Sequence, residues 1–193
     1  MSEYIHKIPA KKSLGYAEFI FESEGDKKMS VLDLGSANSL FAQLYFDKIK
    51  IYHAFDYNKE AVLAGKNFLK RECDFKWIIE STDLKKRFVE KNKEKLLEKY
   101  DIIVFNRVFN HLYPFRSYKK WKSGEYKKTD LLFNSFKLSS KWYIFSTTIR
   151  HMNYFLIIDF FKSNNFELIF EKKFDDKDKR SLQPWSCIFK KEN

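Results

Sequence analysis

The feature that most constrains this chain is an alternation. Short, nearly continuous apolar runs are separated by longer segments in which apolar residues recur at helical spacing. The runs fall at 30–34, 51–55, 75–79, 101–105 and 142–147, with two more at 166–170 and 185–189. Their dense Val, Ile, Leu and Phe content suits strands covered on both faces. Helices are predicted between them at 39–46, 59–71, 84–99, 130–139 and 153–163, and a short one around 17–21 precedes the first run. Asn58 is placed to cap the helix at 59–71. Strands alternating with helices imply right-handed crossovers and parallel pairing. The last two runs have no helix between them, only the charged stretch 172–180, and should pair as an antiparallel hairpin. The expected fold class is α/β: a mostly parallel seven-stranded sheet with helices on both faces and a C-terminal antiparallel β-hairpin.

Composition narrows the class further. At 193 residues, 44% hydrophobic and 19% aromatic, the chain can bury a core, which excludes global disorder. Five Gly and three Pro exclude collagen-like and linker architectures. The longest apolar candidate for a membrane span, 154–161, contains Asp159 and is too short, and the first residues lack a signal-peptide core. Cys73 and Cys187 have neither metal nor redox spacing, so two reduced thiols, no metal and a cytoplasmic setting are expected. Residues 1–29 read as a helical prelude and 30–193 as one domain, with no internal repeat; the oligomeric state is left open. The net charge of +11 permits a nucleic-acid partner without demanding one, because only six of 37 basic residues are Arg, the residue with the planar fork suited to phosphates and base edges.

In open α/β sheets, ligands bind beyond the carboxyl ends of the strands. The first such end reads Asp33-Leu34-Gly35-Ser36-Ala37-Asn38-Ser39. Gly35 would let a ligand approach bare backbone, Ala37 and Ser39 are small, and Asn38 tolerates left-handed geometry. The following helix start would offer free amides to an anion. Asp56 ends the second strand 21 positions after Gly35, the spacing at which nucleotide folds accept both ribose hydroxyls on one carboxylate. Asp83 ends the third strand, where it can cap a helix or accept from an adenine amino group.

Three acids at successive strand ends, with this small-residue bend, resemble the class I S-adenosylmethionine-dependent methyltransferases over 30–189. The resemblance implies a Rossmann-like sheet and S-adenosylmethionine as cofactor, with S-adenosylhomocysteine as product. In family terms the Asp33–Ser39 stretch is similar to the first motif, acid-x-Gly-x-Gly-x-Gly, with Ala37 and Ser39 in place of two glycines. Asp56 resembles the ribose-binding acid, and Ser81-Thr82-Asp83-Leu84 the adenine-binding segment. Residues 100–112 resemble the fourth strand and the turn after it. The implied cofactor contacts are Asp33, Gly35, Ser36, Ala37, Asn38, Asp56, Tyr57, Thr82, Asp83, Leu84, Asn106 and Arg107, with Ser39 expected to narrow the pocket near the methionine tail.

His111 follows the fourth strand, and its imidazole suits removal of a hydroxyl proton; packing alone is the alternative role. His151 follows the fifth strand near the same mouth. The residues 106–109 read Asn-Arg-Val-Phe rather than the Asn/Asp-Pro-Pro-aromatic tetrad of amino-methylating DNA enzymes. No Cys follows Pro, as the cytosine-C5 class requires, and 142–147 lacks the Lys of the RNA ribose methylases. The segment 113–128 carries six basic residues against one acid, interleaved with Tyr113, Phe115, Tyr118, Trp121 and Tyr126. It reads as a lid over a small or medium acceptor, as a groove for nucleic acid (RNA before DNA), or as a solvated loop. Tyr113, Arg116, Tyr118, Trp121 and His151 are the expected acceptor contacts. A non-catalytic binding protein on the same scaffold is the third reading.

Overall fold

The computed structural model describes residues 14–84, 87–106, 108, 123, 131–148, 154–173 and 184–192. Its elements run α1 (Glu18–Glu24), β1 (Met29–Leu34), α2 (Leu40–Tyr45), β2 (Ile49–Asp56), α3 (Lys59–Glu72), β3 (Lys76–Ser81), α4 (Phe88–Lys91), β4 (Tyr100–Asn106), α5 (Leu131–Leu138), β5 (Ser139–Thr148), α6 (Tyr154–Lys162), β6 (Phe166–Lys173) and β7 (Pro184–Lys191). A 3-10 turn at Phe46–Lys48 joins α2 to β2. The seven strands lie in the order β3-β2-β1-β4-β5-β7-β6. β1 to β5 pair in parallel, while β7 runs antiparallel between β5 and β6. The expected seven-stranded α/β sheet with its C-terminal antiparallel hairpin is the observed one.

Alternation along each strand splits the interior in two. Val31, Tyr52, Ala54, Ile102, Val104 and Ile144 face α1, α2 and α3, which contribute Ile20, Phe21, Phe41, Ala42, Val62 and Leu69. Leu32, Leu34, Phe55, Phe105, Phe145 and Phe189 face the other way, against Phe88 of α4, Phe136 of α5 and Phe161 of α6. Phe161 and Phe189 stack with ring centroids 3.8 Å apart. Each fully buried aromatic here stabilises the fold by about 1.5–3 kcal/mol of transfer free energy, and the parallel pairing of β1 to β5 brings their C-terminal ends to one common rim. The opposite rim is fastened separately. There the Asp101 carboxylate accepts from the Ser30 amide and hydroxyl at 2.9 and 2.8 Å, with Lys50 at 3.2 Å.

One expected element is different. Of the predicted helix at 84–99, the described residues are helical over Phe88–Lys91 and then pass through turns. After Leu84 its apolar residues come in two clumps, Phe88-Val89 and Leu96-Leu97, with only polar residues at 90–95 between them, so the stripe is interrupted there. Asn92 ends the helix by donating its side-chain amide to the Phe88 carbonyl at 2.8 Å, a local bond that competes with helix propagation. The later turn is pinned from outside: the Leu97 amide donates to the Tyr100 hydroxyl at 2.9 Å, which also shares a 2.5 Å hydrogen bond with Nδ1 of His53. Among the described residues no helix is long and apolar enough to cross a membrane.

Candidate functional site

At the rim where β1, β2 and β4 end, the chain leaves β1 through a bend at 35–39 before entering α2. Gly35, Ala37 and Ser39 all lie in the left-handed region, with φ of 83°, 47° and 62°. These are the three positions that the sequence motif assigns to glycine, so the bend keeps glycine geometry where two residues are not glycine. Each L-residue held there costs about 1–2 kcal/mol, and the surroundings must impose it. They do so by hydrogen bonds. The Gly35 amide donates to the Phe55 carbonyl at 2.8 Å, the Ser39 amide to the Ser36 carbonyl at 2.8 Å, and the Gln43 side chain to the Asn38 carbonyl at 2.7 Å. The Ala37 amide donates to Oδ2 of Asp56 at 2.8 Å.

Asp56 is thus aimed back at the bend from the neighbouring strand end. Its other oxygen, Oδ1, accepts from the Asn58 amide at 2.8 Å, and the residue is only 6% exposed. The next strand end is drawn in beside it: the Thr82 amide donates to the Asp56 carbonyl at 2.8 Å, and the Ser81 hydroxyl to the Tyr57 carbonyl. Tyr57 is 66% exposed at this mouth, and Asp83 is exposed next to it. Leu84 departs from the expectation. It is 4% exposed and belongs to the same core cluster as Phe88.

Asp33 lies deeper. In register it stands beside Ala54, and alternation puts Tyr52 and Asp56 on the same face of β2, one below and one above. The Tyr52 hydroxyl donates to Oδ2 of Asp33 at 2.6 Å. Burial raises the Asp33 carboxyl; the Tyr52 hydrogen bond opposes this and the Asp56 charge adds to it, leaving it at about 7. Burial and the Asp33 charge keep the Tyr52 hydroxyl protonated throughout. On the β4 side, Asn106 accepts through Oδ1 from the Ser146 hydroxyl of β5. The structure therefore brings Asp33, Gly35, Ser36, Ala37, Asn38, Asp56, Tyr57, Thr82, Asp83 and Asn106 to one end of the sheet. Arg107, His111, Tyr113, Arg116, Tyr118, Trp121 and His151 lie outside the described residues.

Three contacts escaped sequence reasoning. The open side of Gly35, expected to meet a ligand, is taken by the chain itself: a Cβ there would stand 1.7 Å from Cγ2 of Val108. The Ser39 side chain, expected to narrow the pocket, is enclosed by α3, where a Cβ on Gly65 would stand 2.6 Å from its hydroxyl. A lone glycine inside an otherwise good helix pattern was the available signal. The third is the Tyr52–Asp33 bond. In addition, α2 has only six residues, so the bend's own amides and side chains, rather than a long helix dipole, face any anion.

The residues present suit a ligand carrying an amino-acid tail and a sugar diol. The Ser36 hydroxyl and Oδ1 of Asn38 are buried without a hydrogen-bond partner among the described residues, although buried polar atoms are normally paired. Both flank the Ala37 amide, and each oxygen of Asp56 keeps capacity for a further hydroxyl donor. Among the described residues no cluster of three His, Cys, Asp or Glu could hold a metal ion.

No family model and no curated protein sequence matches this chain. Solved structures do. The magnesium protoporphyrin IX methyltransferase of Synechocystis PCC 6803, with bound SAM, superposes with a TM-score of 0.71 at 11% identity, over 96% of this chain and 81% of that one. The chain has the class I methyltransferase fold. The N-methyltransferase NodS of Bradyrhizobium japonicum WM9, in complex with S-adenosyl-L-homocysteine, gives a TM-score of 0.68 at 14% identity, over 98% and 90%. TrmK of M. capricolum, in complex with S-adenosyl-homocysteine, gives 0.61 at 14% identity, over 93% and 68%. On this methyltransferase fold the bend at 35–39 and the Asp56 strand end occupy the rim just described.

Proposed function

We propose that the chain is a cytoplasmic S-adenosylmethionine-dependent methyltransferase that delivers a methyl group to O or N of a small or medium acceptor, leaving S-adenosylhomocysteine. The observation that carries this reading is the Asp56 carboxylate, buried at a strand end and aimed at a bend where the Ser36 hydroxyl and Oδ1 of Asn38 lack partners among the described residues. Asp56 would hold the ribose hydroxyls. The Ala37 amide, Ser36 and Asn38 would hold the amino-acid tail, with Gly35 and Asp33 shaping the bend beneath it. Tyr57, Thr82 and Asp83 would border the adenine, and Asn106 with Arg107 the reacting end. When bound, the cofactor supplies an activated methyl on a sulfonium that leaves readily. The protein's part is then mainly alignment, which can supply roughly 7–11 kcal/mol. His111 would take the acceptor's proton where the nucleophile is protonated, a contribution of about 10²–10⁴-fold.

Calorimetry with S-adenosylhomocysteine tests the reading. The wild type should bind, and Asp56→Ala should bind at least about tenfold more weakly, as loss of charge-assisted hydrogen bonds requires. Equal affinity of the variant, or no binding by the wild type, overturns it; the latter result favours a non-catalytic scaffold. RNA as acceptor is supported by the charge and aromatic content of 113–128. In that case RNA binding should weaken with salt and with loss of Lys119, Lys120 and Lys122, and its absence at low salt removes this reading.

A further inference from the structure

We infer that Asp33, set in one file with Tyr52 and Asp56 beneath the bend, discriminates by pH between the sulfonium cofactor and its thioether product. Ionised, it favours S-adenosylmethionine; protonated, it gives up that preference. The inference rests on the cofactor reading above and concerns the regulation of that same site.

The geometry isolates a single titrating group. Asp33 is 2% exposed and stands beside Ala54 in the β1–β2 register. From β2 it faces the Tyr52 hydroxyl at 2.6 Å and, one step nearer the rim, the Asp56 carboxylate. From β4 its in-register neighbour is Val104. α2, which packs over this face, carries no charged residue, and the charged residues of α3 are exposed. His53 lies on the opposite face of β2, hydrogen-bonded to Tyr100. Asp56 is held in place by the Ala37 and Asn58 amides. Asp33 accepts from the Tyr52 hydroxyl and is the deeper of the two. Two like charges this close in a dry setting oppose joint ionisation, and burial with the Asp56 charge brings Asp33 to about 7.

The two ligands share an adenosine, an ammonium and a carboxylate, and differ by one methyl and one positive charge at sulfur. An ionised Asp33 attracts that extra charge, so binding the sulfonium favours loss of the Asp33 proton to solvent. The thioether brings only the shared ammonium, whose pull on the Asp33 proton is common to both ligands and cancels in the ratio. By linkage, the ratio of affinities must rise with pH through the titration of Asp33. Product would then compete best in acid.

Isothermal calorimetry of both ligands at about pH 6 and about pH 8, in paired buffers of different ionisation enthalpy, reads the effect directly. The wild-type preference for S-adenosylmethionine over S-adenosylhomocysteine should rise about fivefold between the two, with more proton released on binding the sulfonium than on binding the thioether. Asp33→Asn should make the ratio flat. Tyr52→Phe, which removes the bond that lowers Asp33, should move the midpoint to higher pH. A flat ratio in the wild type, an unchanged midpoint in Tyr52→Phe, or a pH-dependent ratio persisting in Asp33→Asn overturns the inference while leaving the cofactor reading standing. Failure of both ligands to bind at either pH overturns the cofactor reading and the inference with it.

Discussion

Replacing Gly35 by Ala should be among the costliest single-methyl changes in this protein. Its φ of 83° lies where an L-residue is disfavoured, at about 1–2 kcal/mol. The new Cβ would stand 1.7 Å from Cγ2, 3.1 Å from Cβ and 3.5 Å from Cγ1 of Val108. Carbon contacts are comfortable at about 3.5–4.0 Å, so turning the Val108 side chain cannot clear the space and one of the two backbones must yield. Overpacking of this kind costs about 1–3 kcal/mol. The sum is a loss of about 2–5 kcal/mol. Urea unfolding with the m-value monitored measures it. In a Val108→Ala background the 1.7 Å contact disappears and only the 3.1 Å contact with the residue 108 Cβ is left, so the cost should fall toward the backbone part, about 1–2 kcal/mol. A Gly35→Ala protein within about 0.5 kcal/mol of wild type, or a cost unchanged by Val108→Ala, would refute the packing argument.

The opposite sign is expected two motif positions on. Ser39→Gly removes a left-handed L-residue at φ 62°, against a small cavity and the extra unfolded-state entropy of glycine. Net stabilisation of about 1 kcal/mol should appear in thermal or urea melts, and a loss of that size would contradict it. His111→Ala should lower turnover at least about tenfold while leaving S-adenosylhomocysteine affinity intact; near-normal turnover would remove His111 from the mechanism.

The sheet was legible because its signal is local: continuous apolar runs at 51–55 and 101–105 can only be interior strands once helices separate them. Asp56 was legible for a similar reason, since an acid ending an apolar strand must emerge at its mouth. What escaped depended on partners distant in the chain. That Val108 would fill the open side of Gly35, or that Gly65 would make room for Ser39, follows from how β4 and α3 dock on the bend, and no spacing rule encodes it. The failed helix at 84–99 shows the converse: good helix formers stayed irregular once Asn92 captured a carbonyl and Tyr100 captured the Leu97 amide. Asp33 stands on β1 just before the bend, but its burial, opposed by a bond to Tyr52 from the adjacent strand, brings its carboxyl to about 7 and makes it a titrating group rather than a simple anchor.

A crystal structure of the protein grown with S-adenosylhomocysteine bears most directly on whether this rim is a nucleoside site. The ribose hydroxyls should lie within hydrogen-bond distance of the Asp56 carboxylate, with the amino-acid tail against Ser36 and the Ala37 amide. Adenosine bound elsewhere, or a ribose turned away from Asp56, would contradict the account.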